Sequence, residues 1–362
     1  MYTLDFESDQ CRDVRATGGK AASLAEMVAA ALPVAPGFAV TAAAYRTFLD
    51  QGDLRTRLSA ALGRLDGTGD QAKFDDADRE ISALFESVSL PDEVAAAIRE
   101  SYAALCASTG VENVAVAVRS SATAEDSVGA SFAGEFETWV DVAGADDVLA
   151  YVHKCYVSVY AGRVLSYLCE KDIDPGDIEM AVVVQKTVRA RAAGVMFTLS
   201  PTSGDRSKIA LEASWGLGLS VVGGEVTPDL FLVDKIGMTI VERTLGDKRI
   251  EYRRGDAPQP VPDDRRELLC LHDDEILALA ALGKKLEKLH GAPQDIEFAV
   301  DEELAAGHNL LLLQCRPETV WSSVRRTPAF DTSAGLLGWV TGSISGTAPA
   351  APAGAHDLAH KH

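Results

Sequence analysis

Three places in the sequence carry residue types that could handle a phosphate chain. The first is Val114-Ala-Val-Ala-Val118-Arg119, an apolar run ending on one arginine and opening into a loop of Ser, Ala, Thr and Gly that extends to Gly134. A guanidinium is a rigid, permanently charged fork that suits phosphate oxygens. Small residues let backbone N–H groups approach a polyphosphate closely. A plain surface loop behind a core strand would account for the loop equally well. The second place is Gly18-Gly19-Lys20, opening a helix with Ala21, Leu24 and Met27 at helical spacing. A lysine in a first helical turn is badly placed for the helix dipole and better placed if a phosphate shares the site, although Gly-Gly-Lys also reads as a simple turn.

The third place is a closing hairpin, Asp295-Ile-Glu-Phe-Ala-Val300 followed by Leu310-Leu-Leu-Leu-Gln-Cys-Arg316. Asp295 and Glu297 lie two apart and share a strand face, as do Gln314 and Arg316. Carboxylate and amide oxygens are hard ligands of the kind Mg²⁺ takes alongside phosphate oxygens, and a neighbouring guanidinium can hold charge that develops on a transferring phosphoryl group. A salt bridge across the hairpin would explain Glu297 and Arg316 but not a glutamine set among apolar residues.

The elements that must position these residues follow from the pattern. Tyr2–Phe6 reads as a strand, Pro33–Gly37 as a rigid turn into Phe38–Val40, and Thr41 as the N-cap of a helix through Leu49. Residues 53–108 read as three helices, the last with Pro91 at N1 and Gly110 beyond its end. Glu135–Val142 alternates as a strand, and Asp146–Glu170 is predicted as one long amphipathic helix. After Pro175-Gly176 the texture turns to strands: 180–184, 195–198 and 209–212, then 230–254 with a hairpin turn at Gly246-Asp247. Asp273–His290 is a helix closed by Gly291. Thr341–His362 holds little to bury and reads as a tail.

At 362 residues the chain suits two domains or subdomains. A net charge of −20 argues against nucleic acid or an acidic membrane as partner, yet does not veto a nucleotide site whose cleft gathers the few basic residues. The six scattered cysteines fit reduced thiols. No apolar run approaches the ~18 residues of a membrane helix, and no charged-then-apolar leader opens the chain. The expectation is a cytoplasmic protein.

Ten blocks in order carry a resemblance. They are Gly-Gly-Lys20, Pro-Gly-Phe38, Val-Arg119-Ser-Ser-Ala-Thr123, Ser131-Phe-Ala-Gly134, Val184-Gln185-Lys, Gly194-Val-Met-Phe-Thr198, Gly-Leu-Gly218, Gly224-Glu-Val-Thr-Pro-Asp229, Gln294-Asp-Ile-Glu297 and Gln314-Cys-Arg316-Pro. Over residues 2–321 the chain resembles the ATP-grasp nucleotide domain at the N-terminus of phosphoenolpyruvate synthase, pyruvate phosphate dikinase and rifampin phosphotransferase. The resemblance implies an α+β fold of two subdomains, 1–178 with the phosphate loop and 179–325 with the metal-binding hairpin, ATP lying in the cleft between them, and 326–362 as tail or linker. It implies that Lys20, Arg119 and Arg316 hold the ATP phosphates and that Glu297 and Gln314 bind Mg²⁺. Gln185 would lie on the adenine-side strand, the loop from Thr123 to Gly134 would fold over the triphosphate, and Arg163, Thr198 and Glu212 would complete the nucleotide site. Arg163 read by itself is a solvated helix arginine.

Two departures stand out. Leu219 occupies a position where the family usually has glutamate, and the turn between Glu297 and Gln314 is about five residues longer than usual, which a surface turn tolerates. In those relatives ATP phosphorylates a histidine on a swivelling domain, within Thr-Gly-Gly…Ser/Thr-His-Ala. None of the seven histidines has that context. The expectation is therefore the ATP-binding subunit of a split enzyme similar to phenylphosphate synthase, converting ATP to AMP and phosphate, with histidine and acceptor site on a partner subunit. The start and end of the chain favour a natural subunit on this reading. The alternatives are the ATP-grasp portion of a phosphoenolpyruvate synthase-like or rifampin phosphotransferase-like enzyme, and a non-catalytic nucleotide-sensing module.

Overall fold

Short apolar runs alternate with amphipathic stretches along the chain. In the computed structural model, which describes residues 1–65, 71–123, 138–253 and 257–321, they become two large antiparallel sheets and a two-stranded ribbon, with helices packed against the large sheets. Met1–Glu318 forms one unit and Thr319–His362 a second, and the elements below belong to the first. The expected tail, 326–362, lies outside the described residues.

The first half supplies β1 (Thr3–Asp5), α1 (Val14–Ala29), β2 (Gly37–Val40), α2 (Ala42–Leu49), α3 (Leu54–Leu62), α4 (Gln71–Glu86) and α5 (Asp92–Thr109). It continues with β3 (Val116–Ala122), β4 (Thr138–Val142), α6 (Ala145–Ser158), α7 (Gly162–Glu170) and β5 (Met180–Lys186). The five strands form one sheet in the order β1-β2-β5-β3-β4. β5 is buried on both faces, as its unbroken apolar run requires. Val182 and Val184 face the cluster built with α2 to α7, whereas Val183 joins the cluster around α1 and the second sheet. Met180–Lys186 thus pairs with β2 and β3 of the first sheet, although the sequence placed it past residue 178 with the second group of strands.

The second half supplies β6 (Ala190–Phe197), β7 (Lys208–Trp215), α8 (Leu219–Val222), β8 (Asp229–Asp234) and β9 (Thr239–Thr244). After these come β10 (Ile250–Glu251), β11 (Gln259–Pro260), α9 (Asp263–Arg266), α10 (Asp273–His290), β12 (Gln294–Asp301) and β13 (Leu310–Pro317). A six-stranded sheet runs β13-β12-β6-β7-β8-β9. α10 covers its inner face through Ile276, Leu279, Ala280 and Leu286. The helix has the expected bounds because its signals are local: Glu275 reaches back to the His272 N–H at 2.9 Å, and Gly291 ends it at φ +69°.

Two expected elements differ. The predicted helix Asp146–Glu170 is two helices, broken between Ser158 and Gly162. The break carries Tyr160 inward, where its hydroxyl bonds that of Tyr45 at 2.8 Å. It also sets Gly162 against α4, its N–H donating to Asp78 at 3.0 Å. The hairpin turn between β8 and β9 falls at residues 235–238, stabilised by the Gly237 N–H on Asp234. Gly246 instead lies against the backbone of Pro228, where a Cβ would come within 2.3 Å of it.

Candidate active site

Arg119 was expected at the exit of its strand but lies within β3, opposite Val183 of β5 and Thr138 of β4. The strand continues through Ser120 and Ser121 because both still pair with β5. This extension organises the Gly-Gly-Lys turn. Ser121 Oγ donates to the Thr17 carbonyl at 2.9 Å and accepts from the Ala21 N–H at 3.3 Å, so it caps the helical run that carries Lys20. Gly18 breaks the helix at φ +74° and passes so close that a Cβ would meet the Ser121 carbonyl oxygen at 2.0 Å. Only glycine fits there. One strand thus positions Arg119 directly and Lys20 through Ser121.

The side chain of Arg119 leaves the first sheet and reaches the hairpin of the second. Nη2 donates to Glu297 Oε2 at 3.2 Å and to Gln314 Oε1, and Nη1 donates to the Leu313 carbonyl at 3.1 Å. That carbonyl is available because of a register shift: Glu297 pairs with Gln314 but Phe298 pairs with Leu312, leaving Leu313 as the bulged residue. Arg119 is 9% exposed and its Nε has no partner. Arg316 pairs with Asp295 directly opposite, Nε to Oδ2 at 2.8 Å. The cross-hairpin salt bridge therefore exists, but it joins Arg316 to Asp295 and leaves Glu297 for Arg119. Burial pushes the Asp295 carboxyl above its ordinary value, and Arg316 opposes that shift.

Cross-strand register extends this polar face. Gln314, Glu297, Val195 and Glu212 lie opposite one another on β13, β12, β6 and β7, which puts Glu212 roughly 10 Å from Glu297 at two strand spacings. Burial raises the Glu212 carboxyl above its ordinary value. Between the sheets lies a cavity of about 210 Å³, walled by Val140, Val188, Leu217, Leu219 and Leu313 and bounded by Arg119 and Glu297. A narrow apolar slot with charge at one side suits a flat heteroaromatic ring carrying an anionic chain. Gln185 lines the slot and is held by its Nε2 on the Ala35 carbonyl at 3.1 Å.

The family described as pyruvate phosphate dikinase, AMP/ATP-binding domain, matches residues 14–334. The chain belongs to this family. It is 41% identical over 321 residues to a probable phosphoenolpyruvate synthase of Methanothermobacter thermautotrophicus, covering 88% of this chain and 46% of that protein. Against the probable phosphoenolpyruvate synthase of Methanocaldococcus jannaschii it is 40% identical over 312 residues, 85% of this chain and 26% of the other. Against the phosphoenolpyruvate synthase of Aeropyrum pernix the figures are 38% over 333 residues, 84% and 41%. The chain spans less than half the length of these curated relatives. Its fold is the ATP-grasp type, and it is the ATP-binding domain of the dikinase family.

Within this ATP-binding domain the cleft brings together Arg119, Glu297, Gln314 and Gln185, with Arg316 two register positions along the same hairpin. Thr123 sits at the end of β3, its N–H on the Glu179 carbonyl at 3.0 Å. Gly134 and the rest of the expected covering loop, from residue 124 on, lie outside the described residues. Thr198 is fully buried, and its hydroxyl accepts the Gln294 N–H at 2.8 Å, so it anchors the start of β12. Arg163 is exposed on α7. Leu219 is 37% exposed in the wall of the slot.

Sequence reasoning missed three features. The aspartate of Gly224-Glu-Val-Thr-Pro-Asp229 forms a fully buried ion pair with Lys248 at 2.5 Å, and also accepts the N–H groups of Gly246 and Cys270. The Leu313 bulge and the capping role of Ser121 were also unforeseen. A run of four leucines ending on a glutamine breaks strict alternation, and that was the one signal for the bulge. No helix among the described residues is long and apolar enough to cross a membrane.

Proposed function

We propose that this chain activates ATP for a dikinase-type phosphotransferase. In this reading the β-phosphoryl group of ATP goes to a histidine of a partner subunit, water takes the γ group as phosphate, AMP is released, and the partner passes its phosphoryl group to a small acceptor, a phenol. The observation that carries the nucleotide half is the meeting of Arg119 with Glu297 and Gln314 beside an apolar slot. The slot would take the base, with Gln185 on its wall. Lys20, Arg119 and Arg316 would hold the phosphates and the charge that develops on them.

The donor set also fits Mg²⁺. Glu297 Oε2 and Gln314 Oε1 are acceptors aimed at a single positive group. Mg²⁺ commonly takes one or two protein oxygens and completes its shell with phosphate oxygens and water. Among the described residues no cluster of three His, Cys, Asp or Glu forms a dedicated cage, so the nucleotide would have to supply ligands. Bound there, the ion would neutralise phosphate charge. The bulged Leu313 and the wall residues Val140 and Leu217 line the slot and would pack against the base.

A partner histidine is supported by where the described histidines lie. His153 bonds the carbonyls of Phe85 and Val88, His272 caps α10, His290 lies 3.8 Å from Glu26, and the His308 N–H bonds the Ala305 carbonyl in the β12–β13 turn. None of these four lines the cleft. The names of the relatives favour a second reading, in which the chain is the ATP-grasp portion of a phosphoenolpyruvate synthase-like enzyme. Mixing the chain with Mg²⁺, β-labelled ATP and the histidine-bearing partner from the neighbouring gene separates the readings. AMP release, with acid-labile label on the partner discharged by phenol, is the expected result. Discharge by pyruvate and not by phenol moves the assignment to the second reading. Tight ATP binding without AMP in every mixture would leave a nucleotide-sensing module.

A further inference from the structure

We propose that the Arg119 guanidinium occupies the cation position between Glu297 and Gln314, so that a divalent ion enters only after nucleotide phosphates draw the arginine away. The inference rests on the metal and nucleotide reading above and adds an order of binding to it.

Three observations carry it. First, one nitrogen of Arg119, Nη2, donates to both oxygens assigned to the metal, Glu297 Oε2 at 3.2 Å and Gln314 Oε1. A guanidinium and a divalent ion cannot share those two oxygens, since both are positive and each needs the same lone pairs. Second, the pair is shielded. The side chains of Arg119 and Glu297 are 11% and 27% exposed, so water competes weakly for the carboxylate and screening is reduced. Third, Arg119 is incompletely satisfied. Nη1 holds the Leu313 carbonyl at 3.1 Å, but Nε is buried with no partner. A buried donor left unmade disfavours this placement, so an incoming anion that engages the full fork gains from moving it.

A triphosphate supplies that anion. Its oxygens match the fork of Arg119, and its arrival brings ligands to the metal as it frees Glu297 and Gln314. Nucleotide and metal binding are then positively coupled through one side chain, and reciprocity requires each to tighten the other. The arginine would protect a two-oxygen site from free cations that lack a nucleotide.

The test uses Mn²⁺ as the probe, with free ion followed by electron paramagnetic resonance on the full chain. Wild type should bind Mn²⁺ weakly alone. Arg119→Met should bind it at least tenfold more tightly without nucleotide, and Arg119→Met/Glu297→Gln should lose that gain. Wild type with the β,γ-imido analogue of ATP should hold Mn²⁺ in a Glu297-dependent way, judged against Glu297→Gln with the same analogue. If Arg119→Met binds free Mn²⁺ within twofold of wild type while that dependence remains, the placeholder role is overturned and the metal reading survives. If no mixture shows Glu297-dependent Mn²⁺, the metal reading fails and takes the inference with it. Near-UV circular dichroism checks the fold, and Arg119→Gln carries the same comparison should Arg119→Met lose its native spectrum.

Discussion

Two carboxylate–cation pairs in this molecule use the same chemistry for opposite ends. Asp229 and Lys248 are both fully buried, and the aspartate also takes two backbone N–H groups, from Gly246 and Cys270. Lys248 adds the carbonyls of Gly246 and Arg266. Glu297 and Arg119 keep 27% and 11% of their side-chain surface, and Arg119 retains an unpartnered Nε. The first pair is saturated and therefore fixed. The second is undersatisfied and faces a cleft, as the proposed exchange of partners requires. Both sit in motifs that look functional in the sequence. Only their surroundings separate the saturated pair from the undersatisfied one.

The widest separation should appear when the cation is removed from each. Lys248→Met leaves a buried carboxylate without its counter-charge, and breaking one side of a buried pair costs about 3–5 kcal/mol. The denaturation midpoint should fall sharply. Arg119→Met should cost only about 1 kcal/mol, the scale of a partly solvated hydrogen bond, while reducing ATP turnover in the proposed reaction by about 10²–10³-fold. Denaturant titration and AMP release measure the two effects. Equal stability losses, or unimpaired turnover in Arg119→Met, would erase the distinction between the pairs.

A smaller effect sharpens the same contrast on the backbone. Gly18 and Gly291 both have positive φ, +74° and +69°. A Cβ on Gly291 meets nothing within 4 Å, whereas on Gly18 it strikes the Ser121 carbonyl. Gly291→Ala should cost about 1 kcal/mol, the left-handed penalty alone. Gly18→Ala should exceed it by about 1–3 kcal/mol through strain and should weaken nucleotide binding by displacing Lys20. Calorimetry of nucleotide binding tests this, and similar affinity in both variants would detach Lys20 from the site.

What was legible in the sequence follows the range of the interactions. The bounds of α10 were readable because its cap and its glycine stop are neighbours in sequence. The face shared by Asp295 and Glu297 was readable because alternation is a property of one strand. The family blocks led to Arg119, Glu297 and Gln314 as a group. The partners of Arg119 were not readable, since its contact with Glu297 spans 178 positions and depends on a one-residue bulge. The break before α7 was missed for the same reason: the pattern runs on, but the Tyr160 hydroxyl finds Tyr45 across 115 positions. Thr198 belongs to a matching block yet spends its hydroxyl on Gln294, a backbone contact no motif reveals.

Glu212 offers the finest comparison, because it lies in the register row of Glu297 but has no guanidinium paired with it among the described residues. Burial alone raises its carboxyl pKa, so the folded protein holds that proton more tightly than the unfolded chain does. Stability from this group is therefore present at low pH and declines as pH rises from the ordinary glutamate value through the raised one. Glu212→Gln removes the decline. The variant should be more stable than wild type by a few tenths of a kcal/mol at neutral pH, the scale of a surface substitution, and the gain should vanish below the ordinary glutamate pKa. Urea midpoints across pH measure it. A variant that loses stability at neutral pH would mean that Glu212 is held by a cation after all, as Glu297 is by Arg119, and the row would then contain two paired carboxylates.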